Sequence, residues 1–382
     1  MDLLIFKQGE ISIDQFIDVP ELVAHTGIYK DPKYGNFMDL DNTKCMIDRL
    51  DKPMERLRRA AVKYLHEYEL VKSICKKNVI SRAYFKLYEL VYFEQSIYVE
   101  DLTCFFICEA PGGFIEALTD IRRKKNLQTN WISISKQDKE IKYDAYFDER
   151  NIYYGDITIA GVLKEMIDIA LTKNPLKYSF ITADGGFSVK SFNDQESILA
   201  KLILCEIYLA LSTQQQGGTF VIKFFDMFTH NTHVYYLLLC SLYRSVKIIK
   251  PKTSRNCNSE RYLVCTYFEC DPVKLESLLH DLLYIIKNFN DSTNVYPTIS
   301  ITDERYIKKI RSFNNLVLYE QIKTINDSLR MIDTHNYYFQ QLLLKIFLDK
   351  KVYIPTYKNI LQSRIKKCTE FLCMHNIHCK NF

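Results

Sequence analysis

Two lysines, an aspartate and a glutamate sit in four short blocks along the chain: Lys86 in SRAYFKL, Asp184 in TADGGF, Lys223 in VIKFF and Glu260 in NSERYLVC. A fifth block, CEAPGGF at 108–114, lies between the first two. Amines and carboxylates gathered round one glycine turn are what a methyl transfer to a ribose hydroxyl requires, because that reaction consists of alignment and proton removal. Taken singly, each residue has an ordinary account: a lysine snorkelling from a strand, an aspartate forming a turn, a glutamate exposed to solvent. In this order, and at these strand ends, they point to a site.

The glycine block narrows the ligand. A strand ends before it, Gly112 and Gly113 let the backbone pass close to a bound molecule, and a helix starts at Phe114, where backbone N–H groups can hold a polar or anionic group. The G-x-G-x-x-G spacing of a dinucleotide site is absent, and no Gly-Lys-Ser/Thr follows as in a P-loop. A pyrophosphate ligand is therefore disfavoured. S-adenosylmethionine fits better, with its amino-acid end against Glu109, Ala110, Pro111, Gly112, Gly113 and Phe114. Asp156, in YYGDIT after a predicted strand, is placed to accept from the adenine amine.

Elements that would position these residues follow from the pattern. TCFFIC, WISIS (131–135), NIYY (151–154), YSFITA (178–183), TFVIKFF (219–225), VKIIK (246–250) and RYLVCTYF (261–268) read as strands. Helical stretches at 159–171 and 194–213 separate several of them. This alternation predicts an open, mainly parallel sheet covered on both faces, with its ligand beyond the carboxyl ends of the strands. Upstream, a helix begins near Asp51 and a second, capped by Ser81, runs to about Tyr92. Arg58, Arg59, Lys63, Lys72, Lys76 and Lys77 read as a solvated helix face ahead of an RNA contact. Residues 271–289 and 303–350 are long amphipathic patterns. The expected division is a partly helical N-terminal extension (1–75), an α/β domain (76–270) and a helical C-terminal extension (271–382).

A net charge of +5 suits a nucleic-acid partner. Several of the twelve cysteines lie inside apolar runs, which favours a reducing compartment. The N-terminus lacks the pattern of a signal peptide, and no apolar stretch reaches the roughly 18 residues that span a bilayer. The expectation is an intracellular protein without membrane association, cytoplasmic ahead of nuclear.

The blocks CEAPGGF, GDIT, TADGGF, GGTFVIKFF and SRNCNSERYLVC resemble FtsJ-type ribose 2′-O-methyltransferases, and within them the mRNA cap branch, including members from large DNA viruses of eukaryotes. The resemblance covers roughly 75–270. It implies a Rossmann-like seven-stranded sheet flanked by helices and S-adenosylmethionine as cofactor. It also implies a Lys-Asp-Lys-Glu tetrad, which by motif position falls on Lys86, Asp184, Lys223 and Glu260. In that reading Lys223 is the base, Lys86 the neighbouring cation, and Asp184 and Glu260 orient the amines. No metal is needed. One departure is Phe106, where many FtsJ proteins carry an acidic residue; the CEAPG form belongs to the cap branch.

The implied function is RNA 2′-O-methylation, at the cap-proximal nucleotide of mRNA. The alternatives are an rRNA or tRNA methyltransferase, and a non-catalytic RNA-binding subunit of a capping complex. Arg82, Lys190, Arg255 and Arg261 are the candidate phosphate contacts. Other capping or transcription proteins are expected partners, and a viral factory or virion is the expected location if the source is viral. Cys368, Cys373, His375, His378 and Cys379 match no standard zinc spacing and read as a non-metal tail.

Overall fold

The computed structural model describes residues 3–7, 23–26, 30–138, 141–186, 193–289, 293–296, 304–333, 337–348 and 358–380. Its strands are β1 (Leu3–Lys7), β2 (Val23–Thr26), β3 (Thr103–Ile107), β4 (Asn130–Ser135), β5 (Ile152–Tyr154), β6 (Tyr178–Ala183), β7 (Gln214–Phe225), β8 (Tyr243–Ile249), β9 (Glu260–Phe268) and β10 (Thr293–Tyr296). The helices are α1 (Met38–Asp48), α2 (Lys52–Leu65), α3 (Val71–Ile74), α4 (Ala83–Val91), α5 (Gly113–Arg123), α6 (Ala160–Lys173) and α7 (Gln195–Thr213). They continue with α8 (His230–Leu242), α9 (Pro272–Asn288), α10 (Glu304–Asp333), α11 (Tyr337–Leu348) and α12 (Lys358–Met374).

All seven expected strands form one sheet, and β1 adds an eighth at its edge, in the order β1-β8-β9-β7-β6-β3-β4-β5. The five strands from β7 to β5 are parallel, whereas β9 runs antiparallel to both β7 and β8. The sheet is thus mixed. Period-two alternation sorts the strands' side chains into two cores. Phe105, Ile107, Ile181 and Ile222 pack with Leu163, Leu199 and Leu282 from α6, α7 and α9. Cys104, Phe106, Phe180 and Val264 pack with Leu57, Phe85, Phe114, Leu343 and Phe371 from α2, α4, α5, α11 and α12. The terminal segments therefore complete the second layer.

That layer covers part of the expected solvated basic face and leaves the rest, Arg59, Lys76 and Lys77, exposed as expected. Asp51 caps α2, accepting from the Met54 N–H at 2.9 Å, as expected. Arg58, however, is buried against Glu55 (2.6 Å), and Lys63 donates to the Phe347 carbonyl of α11 at 3.0 Å. Lys72 donates to the Ile80 carbonyl, and Lys77 pairs with Glu116 and Asp120 on α5. Helices α11 and α12, packed alongside, supply the cover that the sequence pattern did not reveal. The amphipathic stretch expected at 303–350 is two helices, α10 and α11.

Candidate active site

The register of β7 against β9 explains why residues far apart in sequence converge. Lys223 pairs with Tyr262 and Phe225 with Glu260, so alternate residues of both strands share one face. On the other side of β7, Ala183 pairs with Ile222, which sets Asp184 beside Lys223 as β6 ends. The Lys223 ammonium lies 3.1 Å from Asp184 Oδ1 and donates to the Asp184 carbonyl at 2.7 Å. The Tyr262 hydroxyl donates to the same Oδ1 at 2.8 Å. Lys86, reaching in from α4, meets Glu260 Oε1 at 2.7 Å and Oε2 at 2.8 Å. The two lysines and two carboxylates therefore form two adjacent ion pairs.

Burial and charge compete at each of these groups. For Lys223, burial favours the neutral amine, but Asp184, Glu260 and Glu206 outweigh it and raise its pKa above the ordinary lysine value. For Glu260, burial favours the acid, yet Lys86, Lys223 and Lys250 draw its carboxyl down to about 2. Beneath them, burial pushes the Glu206 carboxyl up to about 8, although it accepts from the Gly185 N–H at 2.9 Å. Burial, and then the charge of Asp184, also raise Glu109 well above the carboxylate range.

The glycine turn follows β3. Gly112 has φ +106°, and a β-carbon there would strike the Phe147 ring. A β-carbon on Gly113 would strike Ser81 and Ala83, so this glycine lets α5 nest against the start of the helix that carries Lys86. Glu109 Oε1 accepts from the Phe114 N–H at 2.7 Å, and the Phe114 ring is fully buried. The turn therefore faces outward through Ala110, and Phe114 serves the core rather than a ligand. Ala110 lines a cleft of about 230 Å³ with Cys108, Ser135, Asp156, Gly186 and Leu202. Asp138, three residues past the end of β4 and marked by no motif in the sequence, lines it too. Asp156 is tied to Lys136 at 2.8 Å and accepts from the Thr158 hydroxyl at 2.6 Å. Gly186 joins cleft to ion pairs: a β-carbon there would lie 3.2 Å from Lys223 Nζ.

The expected phosphate contacts fare differently. Arg261 is fully buried and donates to Asn314 of α10 at 2.6 Å; no phosphate reaches it there. Arg82 pairs with Glu69 at 2.8 Å and donates to the Thr253 carbonyl at 2.8 Å, so it braces two segments. Arg255 also pairs with Glu69 at 2.8 Å, but its side chain is 36% exposed. Lys190 lies outside the described residues. In the C-terminal segment, Cys368 points at the Glu67 carbonyl and His375 packs on Phe371. Among the described residues no group of three or more His, Cys, Asp or Glu is placed to hold a metal ion, and no helix is long and apolar enough to cross a membrane.

Sheet, glycine turn and the polar rim beyond the parallel strands define a Rossmann-like α/β protein with its site at the strands' carboxyl ends. Residues 79–268 match the family model of the FtsJ-like methyltransferases, and over that span the chain is an FtsJ-like methyltransferase domain. Similar proteins include the cap-specific mRNA (nucleoside-2′-O-)-methyltransferase 2 of Danio rerio, 26% identical over 68% of this chain and 38% of its own length. The cap-specific mRNA (nucleoside-2′-O-)-methyltransferase 1 of Mus musculus is 36% identical over 42% of this chain and 20% of its own length. A solved structure from Plasmodium falciparum, described as a ribosomal RNA methyltransferase, aligns with TM-score 0.39 and 23% identity over 49% of this chain and 97% of its own. The chain spans well under half the length of the two cap-specific relatives.

Proposed function

We propose that the chain is an S-adenosylmethionine-dependent RNA ribose 2′-O-methyltransferase acting on the cap-proximal nucleotide of capped mRNA, with Lys86, Asp184, Lys223 and Glu260 as its catalytic set. The observation that carries this reading is the meeting of the Lys223–Asp184 and Lys86–Glu260 pairs beside the glycine-turn cleft. The relatives named for cap-specific 2′-O-methylation support the substrate class. The catalytic unit is taken as 76–270, with 1–75 and 271–382 as extensions whose described helices pack into both cores. Twelve free cysteines accord with a reducing compartment.

The cleft's lining fits the cofactor. Asp156 and Asp138 offer carboxylates to amine and hydroxyl donors, and Gly186 leaves room beside Lys223. S-adenosylmethionine, when bound, supplies a methyl group already activated on a sulfonium. The protein's residues then hold the ribose hydroxyl and take its proton. Asp184 and Tyr262 fix the Lys223 side chain, whose amine, once deprotonated, would accept the 2′-hydroxyl proton as that oxygen takes the methyl group and the donor's carbon–sulfur bond breaks. Lys86, steadied by Glu260, supplies the second positive charge beside the developing alkoxide. Arg255 is the remaining described candidate for a phosphate contact at the rim.

The test is calorimetric binding of S-adenosylmethionine together with tritium transfer to capped transcripts. Binding with transfer supports the proposal. RNA binding without transfer to any RNA would leave a non-catalytic subunit instead.

A further inference from the structure

Glu260 is delivered to the site by residues 251–259, a segment with no helix or strand of its own. Its backbone groups must therefore find partners elsewhere. Buried side chains provide them. Glu89, one turn beyond Lys86 on α4, accepts from the Lys252 N–H at 2.5 Å and from the Thr253 N–H and hydroxyl, both at 3.2 Å. Arg82, one turn before Lys86, takes the Thr253 carbonyl. Three residues on one stripe of the helix thus engage this segment and Glu260.

A second anchor sits at the end of β8. Lys250 is buried, and its ammonium donates to the Glu260 carbonyl at 2.7 Å, to Ser254 Oγ at 3.3 Å and to the Asn258 carbonyl. Asn258 Oδ1 in turn accepts from the Glu260 N–H at 3.1 Å. Burial draws the Lys250 pKa down to about 7, and in either form its buried N–H groups need acceptors. Here every acceptor it meets belongs to the segment that ends in Glu260. The carbonyl and the N–H of Glu260 are both fixed, one directly by Lys250 and the other by a residue that Lys250 holds.

We propose that Lys250 and Glu89 are positioning residues for the methyl transfer: without touching substrate, they hold segment 250–260 so that the Glu260 carboxylate meets Lys86 in one geometry. The inference rests on the function proposed above. A displacement of the order of 1 Å at such a site can lower turnover about a hundredfold, so two anchors on one short segment have a direct kinetic consequence.

The experiment uses the full chain with capped RNA and S-adenosylmethionine. Lys250→Met and Glu89→Ala should each lower kcat about ten- to a hundredfold, while KM for both substrates stays within about threefold. Glu89→Gln, which keeps one acceptor oxygen, should recover most of the loss. If Lys250→Met does not fold, Asn258→Ala at a half-buried position supplies the same readout. Unchanged kcat in these variants overturns the inference. So does a loss of activity that disappears once turnover is expressed per folded enzyme, with the folded concentration of each variant read by circular dichroism. A wild-type chain that transfers no methyl group sinks the underlying reading and the inference with it; an active wild type with unaffected variants sinks the inference alone.

Discussion

Lys86 and Glu260 are 174 residues apart in sequence and 2.7 Å apart in space, joining the helix before the glycine turn to the antiparallel strand that returns beside β7. That contact closes the site. It places a cation opposite Lys223 and keeps the Glu260 carboxyl ionised.

Lys223→Ala should abolish methyl transfer, by at least about a hundredfold as for loss of a general base, with cofactor binding retained. Tritium transfer and calorimetry measure the two separately. Undiminished turnover would remove Lys223 from its role.

Turnover should rise with pH across the neutral and mildly alkaline range. Burial alone would free the Lys223 amine, but the surrounding carboxylates hold its pKa above the ordinary value, so the resting group is an ammonium. As a base it must lose that proton, and kcat/KM should climb about tenfold per pH unit below its pKa. A flat profile from pH 7 to 9 would argue that Lys223 acts only by position.

Acid sensitivity should trace partly to Glu260. Its folded pKa of about 2 lies below the unfolded value of 4.5, so its contribution to stability is present above about pH 4.5 and is lost as pH falls toward 2. The linked free energy is on the order of 3 kcal/mol. Glu260→Gln should flatten the stability curve between pH 5 and 2 relative to wild type, as read by urea midpoints. Parallel curves would contradict the pairing.

Gly112→Ala should weaken cofactor binding and destabilise the fold by about 1–3 kcal/mol, because a left-handed residue gains a β-carbon directed at Phe147. Thermal midpoints with and without cofactor check this. A variant of wild-type stability and affinity would show that the turn tolerates the side chain.

The seven strands and the order of the polar blocks were legible because alternation and glycine turns are local signals. Tyr262 was legible in principle: it stands two residues after Glu260 and so shares its face. Glu89, three residues past Lys86, carried the same kind of helical clue. The arginines were not legible. Arg261 is buried because Asn314, 53 residues on, folds over it, and Arg82 is claimed by Glu69, 13 residues back. Neither partner leaves a mark at the arginine's own position. The edge strand Leu3–Lys7 depends likewise on a distant partner, β8.

The most direct test of the central claim is to transfer tritium from S-adenosylmethionine to matched capped and uncapped transcripts, digest them with nuclease, and locate the label. The account predicts a 2′-O-methyl group on the cap-proximal ribose, formed only on the capped RNA. Label on internal nucleotides, or equal label without the cap, would contradict it.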